Sequence, residues 1–254
     1  MIDSETEKAV QKTIALFKNS KYGVVLTGAG ISTPSGIPDF RSQNTGLWER
    51  DDPMEVASLT AFVNHPERFY DWLKPLAKTI MTAKPNAAHR ALASLENAGL
   101  IKAIITQNID GLHQKAGAEH VIELHGSTRT MTCPSCHQTF ESEAFKDALL
   151  NDGVLPKCPE CRHILKPDIV LYEELLPAAA WSQAESHSMT ADLFLVVGSS
   201  LEVVPASTLP YLAYRAGAGL VINNISPTSM DRHARVIIHD DAVNIIPRIA
   251  EALL

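Results

Sequence analysis

The cysteines carry the clearest chemical signal in this sequence, because all four of them fall in two C-x-x-C pairs, Cys133 with Cys136 and Cys158 with Cys161. This spacing predicts one tetrahedral zinc site with Zn–S distances of about 2.3 Å. Protein fills every coordination position, so the site is structural and does no chemistry. The alternative is two disulfides in a secreted protein, which the charged N-terminus disfavours because it lacks a secretory apolar core.

A glycine-rich turn, GAGIS at residues 28–32, follows a predicted strand. Glycines at such a turn let the backbone approach a phosphate at a helix N-terminus. The dinucleotide fingerprint G-x-G-x-x-G is not met, because the third glycine is Gly36, and Pro34 and Pro38 would end the helix early. The turn therefore predicts a nucleotide site and argues against an ordinary Rossmann oxidoreductase.

The loop that follows, SGIPDFR at residues 35–41, places an acid, an aromatic ring and a guanidinium beside this turn. These side chains are Asp39, Phe40 and Arg41. A simple connecting turn rarely needs all three, so we expect them to face the bound nucleotide.

Polar side chains also follow the next predicted strand, in the sequence TQNIDGLH at residues 106–113. The carboxyl edge of a parallel sheet is where ligands bind, and amides with a carboxylate suit ribose hydroxyls and a carboxamide. The alternative is a polar loop in which Asp110 or Asn108 caps the following helix.

Three further motifs lie after apolar runs: ELHG at 123–126, GSSL at 198–201 and Asn223-Asn224. His125 follows the run 121–124, and Gly126 leaves open space beside its imidazole. The chain has ten histidines, so residue type alone does not select His125 as a catalytic base.

The elements that position these motifs read as strands alternating with helices, which predicts an α/β fold with a parallel sheet. The strands are predicted at 22–27, 101–106, 193–197 and 220–222. Helices are predicted at 6–18, opened by a capping box of Ser4 and Glu7, and at 86–97, where Asn86 can cap. A polar loop at 42–52 and a helix with one apolar side interrupt the alternation and predict a helical flap. The apolar residues of that helix are Phe69, Trp72, Leu73, Leu76 and Ile80.

Length and charge restrict the class of protein. The chain has 254 residues, which predicts one main domain with an insertion at the cysteine pairs. The net charge of −7, without a run of lysine or arginine, disfavours nucleic-acid binding, including that of zinc-ribbon proteins. The absence of a long apolar stretch and the use of reduced thiolates lead us to expect a cytoplasmic protein that does not enter a membrane.

Taken in order, GAGIS, GIPDFR, TQNIDGLH, ELHG, the cysteine pairs, GSSLEVVP and VINN resemble the sirtuin family of NAD-dependent protein deacylases, most closely its bacterial and archaeal members with GSS. The resemblance covers nearly the whole chain. It implies a Rossmann-like NAD-binding domain at 1–41, 84–130 and 164–254. It also implies a cofactor-binding loop and helical flap at 42–83, a zinc module at 131–163, and a cleft for NAD and an acylated lysine.

The resemblance also implies residue roles. His125 would be the general base, acting with Asn108, after the acyl oxygen attacks ribose C1′ and nicotinamide leaves. NAD would be consumed as a co-substrate, giving free lysine and O-acyl-ADP-ribose. The residues implied to bind NAD are Gly28, Ala29, Gly30, Ser32, Asp39, Phe40, Arg41, Gln107, Asn108, Ile109, Asp110, Gly198, Ser199, Ser200, Asn224 and Ala242. Those implied to bind the substrate peptide are Val170, Leu171, Tyr172, Glu173 and Glu174.

Two departures from the family pattern affect the substrate site. The family's Phe-Gly-Glu segment reads Tyr172-Glu173-Glu174 here. Glu173 is strained if the backbone needs a positive φ, and adds negative charge that favours basic peptides if the backbone is extended. Members that prefer succinyl or malonyl groups carry a tyrosine and, three residues later, an arginine, but Tyr70 is followed by Leu73. We therefore expect neutral acyl groups, acetyl first.

Two other functions remain open at this point. Mono-ADP-ribosyl transfer or NAD hydrolysis would use the same pocket with another nucleophile, and product mass distinguishes them from deacylation. A non-catalytic NAD-sensing module would bind NAD without releasing nicotinamide, and the presence of His125 and Asn108 argues against it.

Overall fold

The computed structural model describes residues 3–40 and 46–254. Nine strands occur in this part of the chain, and they form two separate sheets. In chain order the strands are β1 Gly23–Thr27, β2 Ile101–Thr106, β3 Val121–Glu123, β4 Gly126–Thr132, β5 Thr139–Glu141, β6 Lys166–Ile169, β7 Leu193–Val197, β8 Gly219–Asn223 and β9 Val236–Ile238.

The larger sheet has six parallel strands in the order β3-β2-β1-β7-β8-β9. All residues of β1, β7 and β8 are buried, which explains why these strands read as continuous apolar runs in the sequence. The expected α/β class is confirmed, and the four predicted strands are present within a residue of their predicted ends. Strand β9, at the edge, was not predicted.

The helices surround this sheet and build the flap. They are α1 Ser4–Asn19, α2 Pro53–Val56, α3 Leu59–Asn64, α4 Pro66–Thr82, α5 Ala87–Asn97, α6 Leu112–Lys115, α7 Lys146–Leu150, α8 Ala178–Thr190, α9 Leu209–Arg215 and α10 Ala242–Glu251. Helices α1, α5 and α10 share one apolar cluster with the sheet, and α8 and α9 share another. The sheet is therefore covered on both faces. None of the helices at 3–40 and 46–254 is both long enough and apolar enough to cross a bilayer.

The start of α1 differs from the predicted capping box. Asp3, not Ser4, is the N-cap, and its carboxylate accepts hydrogen bonds from the backbone N–H groups of Glu5 and Thr6 at 2.9 and 2.8 Å. Aspartate and serine are both good caps, and the residue that lies outside the first turn takes the role. The predicted cap of α5 is confirmed, because the Asn86 side chain accepts from Ala88 and His89 N–H.

The second sheet is antiparallel, with the order β5-β4-β6. It carries the cysteine pairs at its end and spans Gly126 to Ile169, which is wider than the predicted module at 131–163. Helices α2, α3 and α4 form the flap and pack against this unit, where the hydroxyl of Tyr70 donates to the carbonyl of Leu165. The flap and the cysteine-bearing sheet thus share an apolar core.

The turn after β1 contains two 3₁₀ turns, Ala29–Ile31 and Thr33–Ser35, and not the helix N-terminus that the glycine pattern predicted. The glycines of this turn allow its backbone to lie close to the backbone that follows β7. A Cβ on Gly30 would lie 2.9 Å from Cα of Gly198, while Gly30 N–H donates to Gly198 O at 2.9 Å. Gly198 itself has a φ of 61°, and a Cβ there would overlap the backbone nitrogen of Ile31. The ends of β1 and β7 are therefore joined backbone to backbone.

We expect Gly198→Ala to lower the free energy of unfolding by about 3 kcal/mol, because the methyl group meets backbone that cannot move aside. Gly36→Ala is the matched control: its φ is 87° and nothing lies within 4 Å of the added Cβ. The control should cost only about 1 kcal/mol, the price of the left-handed conformation alone. Urea unfolding measures both values, and equal losses would contradict the close-approach argument.

Candidate active site and metal centre

A cavity of about 1060 Å³ lies where the carboxyl ends of β1, β2, β7 and β8 meet the flap and the second sheet. Every predicted NAD, catalytic and substrate residue in the described part of the chain lines it. Arg41 lies outside the described residues. The lining residues that were predicted are Gly28, Ala29, Gly30, Ser32, Asp39, Phe40, Gln107, Asn108, Ile109, Asp110, His125, Val170, Leu171, Tyr172, Glu173, Glu174, Gly198, Ser199, Ser200, Asn224 and Ala242.

His125 follows β3 and is oriented by a backbone carbonyl. Its Nδ1 lies 2.9 Å from Gln107 O. Since a carbonyl oxygen only accepts hydrogen bonds, Nδ1 carries the proton in this contact, and the neutral ring has its lone pair on Nε2. The strand β3 and the loop after β2 together therefore fix a basic nitrogen at the cavity.

The Asn108 side chain joins the loop after β2 to the turn after β1. Its Nδ2 donates to Gly28 O at 3.0 Å and to Ser32 Oγ at 3.2 Å. Ser32 Oγ in turn donates to Asp110 Oδ2 at 2.7 Å, and the other Asp110 oxygen accepts from Leu112 N–H at 2.8 Å. Asp110 thus also meets the start of α6, as the structural alternative expected, while it lines the cavity. The contact of Asp110 with a bound nucleotide stays a prediction.

A second contact joins the ends of β2 and β7. The side-chain amide of Gln107 donates to Ser199 Oγ at 2.9 Å, and that oxygen also accepts from Leu201 N–H at 3.3 Å. Two residues that the sequence treated as separate NAD contacts are therefore bonded to each other. This contact joins the loop after β2 to the loop after β7.

Two buried histidines, neither of them predicted as a site residue, support this network. His89 Nδ1 accepts from Asn86 N–H at 3.4 Å as part of the α5 capping box, which leaves Nε2–H directed at Ser32 Oγ, 3.4 Å away. Burial lowers the pKa of His89 to about 4. The ring is therefore neutral at pH 7 and supports the Ser32 hydroxyl as a donor.

His113 lies 4.9 Å from His89, ring centre to ring centre, and is fully buried. Its Nε2 is 2.9 Å from Thr27 Oγ1, which donates to Thr106 Oγ1 at 2.8 Å. Thr106 Oγ1 also accepts from Asn108 N–H at 3.0 Å. Burial, with a smaller repulsion from His89, lowers the pKa of His113 to about 3. A neutral imidazole thus sits at the base of a chain of hydrogen bonds that ends at Asn108.

The backbone of residues 170–174 decides between the two alternatives for Glu173. The φ of Glu173 is 74°, so the positive-φ alternative is confirmed and the extended one is wrong. The Glu173 carboxylate accepts from Thr60 N–H of α3 at 2.8 Å. The expected preference for basic peptides required an extended backbone at Glu173, so the structure does not support it.

Sequence reasoning missed several lining residues that belong to the flap and to the end of β9. Trp48 stacks between Phe40 and Trp72, with ring centres 5.2 and 5.7 Å apart. Asp240 follows β9, and its carbonyl accepts from the buried Asn223 amide at 2.8 Å. The short apolar run before Asp240 was the available signal, because it ends in polar residues as the other strands do.

The cysteines form a compact cluster beside the second sheet. The Sγ atoms of Cys133, Cys136, Cys158 and Cys161 all lie within 4.8 Å of one another. A tetrahedral ZnS₄ site has sulfurs about 3.8 Å apart, so the donors fit zinc. The expected structural metal site is thus supported by geometry and donor type.

We expect the purified protein to contain about one zinc per chain, measured by atomic emission. Cys158→Ser should lose the metal and lower the thermal midpoint, because the second sheet has little core besides the cluster. Ser135→Ala, which lies between two cysteine ligands, is the control. It should keep the zinc and the wild-type thermal midpoint. A metal-free protein with an unchanged midpoint would contradict the structural role.

The depressed pKa of His113 predicts a pH dependence of stability. Below pH 6.5 the unfolded chain protonates this histidine while the folded chain does not, so the free energy of unfolding falls as pH decreases toward 3. The loss is about 1.4 kcal/mol per pH unit for this group. Urea unfolding between pH 7 and 4.5 should therefore show a shallower loss in His113→Gln than in wild type. His65→Gln, at an exposed position, is the control, and parallel curves for all three proteins would contradict a neutral buried His113.

Known proteins resemble this chain over nearly its whole length. The Sir2 family model matches residues 28–205. An Archaeoglobus fulgidus protein named NAD-dependent protein deacylase 2 is 44% identical over 246 residues, which is 96% of each chain. A Sir2 structure with a deacetylated p53 peptide and 3′-O-acetyl-ADP-ribose superposes with a TM-score of 0.90 at 41% identity, covering 95% of this chain and 97% of the other. A Sir2 structure with a propionylated peptide gives 0.85 at 41% identity and the same coverage. The match of the family model and the identity to these relatives place the chain in the Sir2 family, the sirtuins.

Proposed function

We propose that this chain is an NAD-dependent protein-lysine deacylase that releases nicotinamide and moves the acyl group from lysine to ADP-ribose. The observation that carries the proposal is the orientation of His125, whose Nδ1 is held by Gln107 O beside Asn108 and Asp110 in one cavity. A base, amides and a carboxylate converge there, as proton transfer next to a bound ribose requires.

The cavity fits NAD. Its volume of about 1060 Å³ is at the upper end of the range for ligand pockets, which is about 300–1000 Å³. Glycines at 28, 30 and 198 keep side chains away from the backbone junction at one end. Buried polar groups of Ser32, Asn108 and Asp110 lie further in, within a chain of hydrogen bonds. The site therefore offers both close backbone approach and preorganised polar contacts.

The residues then divide the work. NAD, when bound, supplies a cationic linkage to nicotinamide whose cleavage makes ribose C1′ electrophilic. Gln107 and Asn108 orient the ribose, and Ile109 and Asp110 hold the carboxamide. His125 accepts a proton at Nε2 from a ribose hydroxyl, with Gln107 O stabilising the Nδ1–H of the resulting imidazolium. Asn108 helps to position the ribose, because the hydrogen bond from its side-chain amide to Gly28 O fixes its own orientation.

The remaining NAD contacts are proposed from the resemblance to the family, and the described ones line the cavity. Ala29, Gly30, Ser199 and Ser200 hold the phosphates, and Asn224 the adenosine ribose. Gly28, Ser32, Gly198 and Ala242 are proposed as further NAD contacts. Asp39 is proposed to lie near the nicotinamide, and Phe40 and Arg41 to line the reactive end. The zinc site stays outside the reaction and holds the second sheet.

The acyl group is proposed to be neutral. Leu73, Leu76 and Ile80 of the flap line the cavity, whereas the Tyr70 hydroxyl is turned away toward Leu165 O. Among the lining residues that the structure describes there is no lysine or arginine. A succinyl carboxylate would have no charged partner in this part of the wall, so acetyl and other apolar acyl groups are favoured.

The partners proposed are acyl-lysine proteins, whose peptide pairs with residues 170–174. The net charge of −7 gives no attraction to nucleic acid. We place the protein in the cytoplasm, because a reducing compartment keeps the zinc-binding thiols free of disulfides.

The test is mass spectrometry of acetyl-lysine and succinyl-lysine peptides incubated with and without NAD. We expect NAD-dependent loss of acetyl with matching O-acetyl-ADP-ribose, and a slower reaction of the succinyl peptide. His125→Ala should reduce turnover by at least about 100-fold, the usual size of a general-base contribution, while the fold is kept. Nicotinamide release with both peptides unchanged would point instead to NAD hydrolysis or ADP-ribosyl transfer, and binding of NAD without nicotinamide release to a sensing module.

A further inference from the structure

The substrate segment 170–174 is joined by its backbone to the flap. Tyr172 N–H donates to Ala57 O at 3.0 Å, and Tyr172 O accepts from Leu59 N–H at 3.0 Å. These two bonds form a parallel bridge between Tyr172 and Ser58. The segment that we propose to pair with substrate therefore already has one backbone edge occupied, by the residues that start helix α3.

The N-terminus of α3 is completed by this segment. An α-helix leaves its first N–H groups without partners inside the helix. In α3, Leu59 N–H meets Tyr172 O, Thr60 N–H meets Glu173 Oε2 at 2.8 Å, and Ala61 N–H meets Ser58 Oγ at 3.0 Å. Two of the three partners come from the substrate segment, and only one comes from the flap itself.

Glu173 occupies a conformation that ordinarily favours glycine. Its φ of 74° is disfavoured for a residue with a side chain. The family pattern has glycine at this position, and glycine adopts a positive φ without strain. The backbone conformation therefore does not explain the presence of a carboxylate here. The carboxylate acts instead on α3, since a negative charge at a helix N-terminus is favourable both as a hydrogen-bond acceptor and toward the helix dipole.

The neighbouring side chains add contacts within the segment, to Lys166 of β6 and to Trp48. Glu174 Oε2 accepts from Leu171 N–H at 2.9 Å and pairs with Lys166 Nζ at 2.8 Å. The Tyr172 ring meets Trp48 edge-on, with ring centres 6.1 Å apart. The Glu173 carboxylate therefore adds a side-chain hydrogen bond to the two backbone bonds that already join the segment to the residues at the start of α3.

We propose that Glu173 is a positioning residue for the acyl-lysine peptide, acting through the N-terminus of α3 to hold segment 170–174 against the flap. This inference rests on the proposed function, because it assumes that the peptide binds along 170–174. Holding the segment in place before binding lowers the ordering cost of peptide binding. The effect therefore concerns the peptide and not NAD.

Three substitutions separate the carboxylate from the backbone conformation. Glu173→Ala removes the cap and keeps a side chain at positive φ, Glu173→Gly removes the cap and relieves the φ, and Glu173→Gln keeps a hydrogen-bond acceptor. We expect the KM for an acetyl-lysine peptide to rise about fivefold in the Ala and Gly variants and to stay within about twofold in the Gln variant. The KM for NAD should rise less than the KM for the peptide. Glu251→Ala, an exposed glutamate at the end of α10, is the control for the loss of charge.

Hydrogen exchange gives a readout that does not depend on activity. Amides of residues 59–62 should exchange faster in Glu173→Ala and Glu173→Gly than in wild type, and Glu173→Gln should resemble wild type. A wild-type protein without deacylase activity but with this exchange pattern would overturn the proposed function and leave the contact with α3 intact.

Other results would overturn the inference itself. A Glu173→Gly variant with the wild-type peptide KM would show that the carboxylate does not position the peptide. A KM for NAD that rises as much as that for the peptide would show a general loss of structure. Unchanged exchange at 59–62 in all three variants would show that the hydrogen bond to Thr60 does not stabilise α3.

Discussion

The site depends on a junction at the carboxyl ends of β1, β2 and β7, where three loops form hydrogen bonds to one another. Asn108 donates to Gly28 O, Gly30 N–H donates to Gly198 O, and Gln107 donates to Ser199 Oγ. Parallel strands with buried faces bring these loops to one edge of the sheet. Because these polar groups pair with one another, the three loops hold each other in position.

Burial gives the histidines different tasks in this arrangement. His89 and His113 lie beneath the junction, where burial keeps them neutral and their nitrogens serve as fixed hydrogen-bond partners of Ser32 and Thr27. His125 lies at the cavity, and the carbonyl of Gln107 orients it. The same side-chain type thus supports the framework in two places and lines the cavity in a third. The cysteine cluster stabilises the second sheet at a distance from this chemistry.

Much of the fold could be predicted from the sequence, because its strongest signals are local. Continuous apolar runs marked β1, β2, β7 and β8, and the spacing of the cysteines predicted a cluster whose sulfurs do come together. The edge strand β9 was not predicted, although its run of three apolar residues ends in polar residues as the other strands do. The start of α1 was misplaced, since Asp3 and Ser4 are equally suitable caps and only the path of the chain selects between them.

The candidate site was predictable as a set of residues but not as a set of contacts. The pairing of Gln107 with Ser199 and the bond from Glu173 to Thr60 join residues far apart in sequence, and no local pattern reports them. The φ of Glu173 likewise follows from the path of the segment past α3. The most direct test of the account is a crystal structure with a non-hydrolysable NAD analogue and an acetyl-lysine peptide. We predict both ligands in the one cavity, with a ribose hydroxyl within about 3.2 Å of His125 Nε2 and Nδ1 still bonded to Gln107 O. Ligands in separate places, or a His125 ring turned away from the ribose, would contradict it.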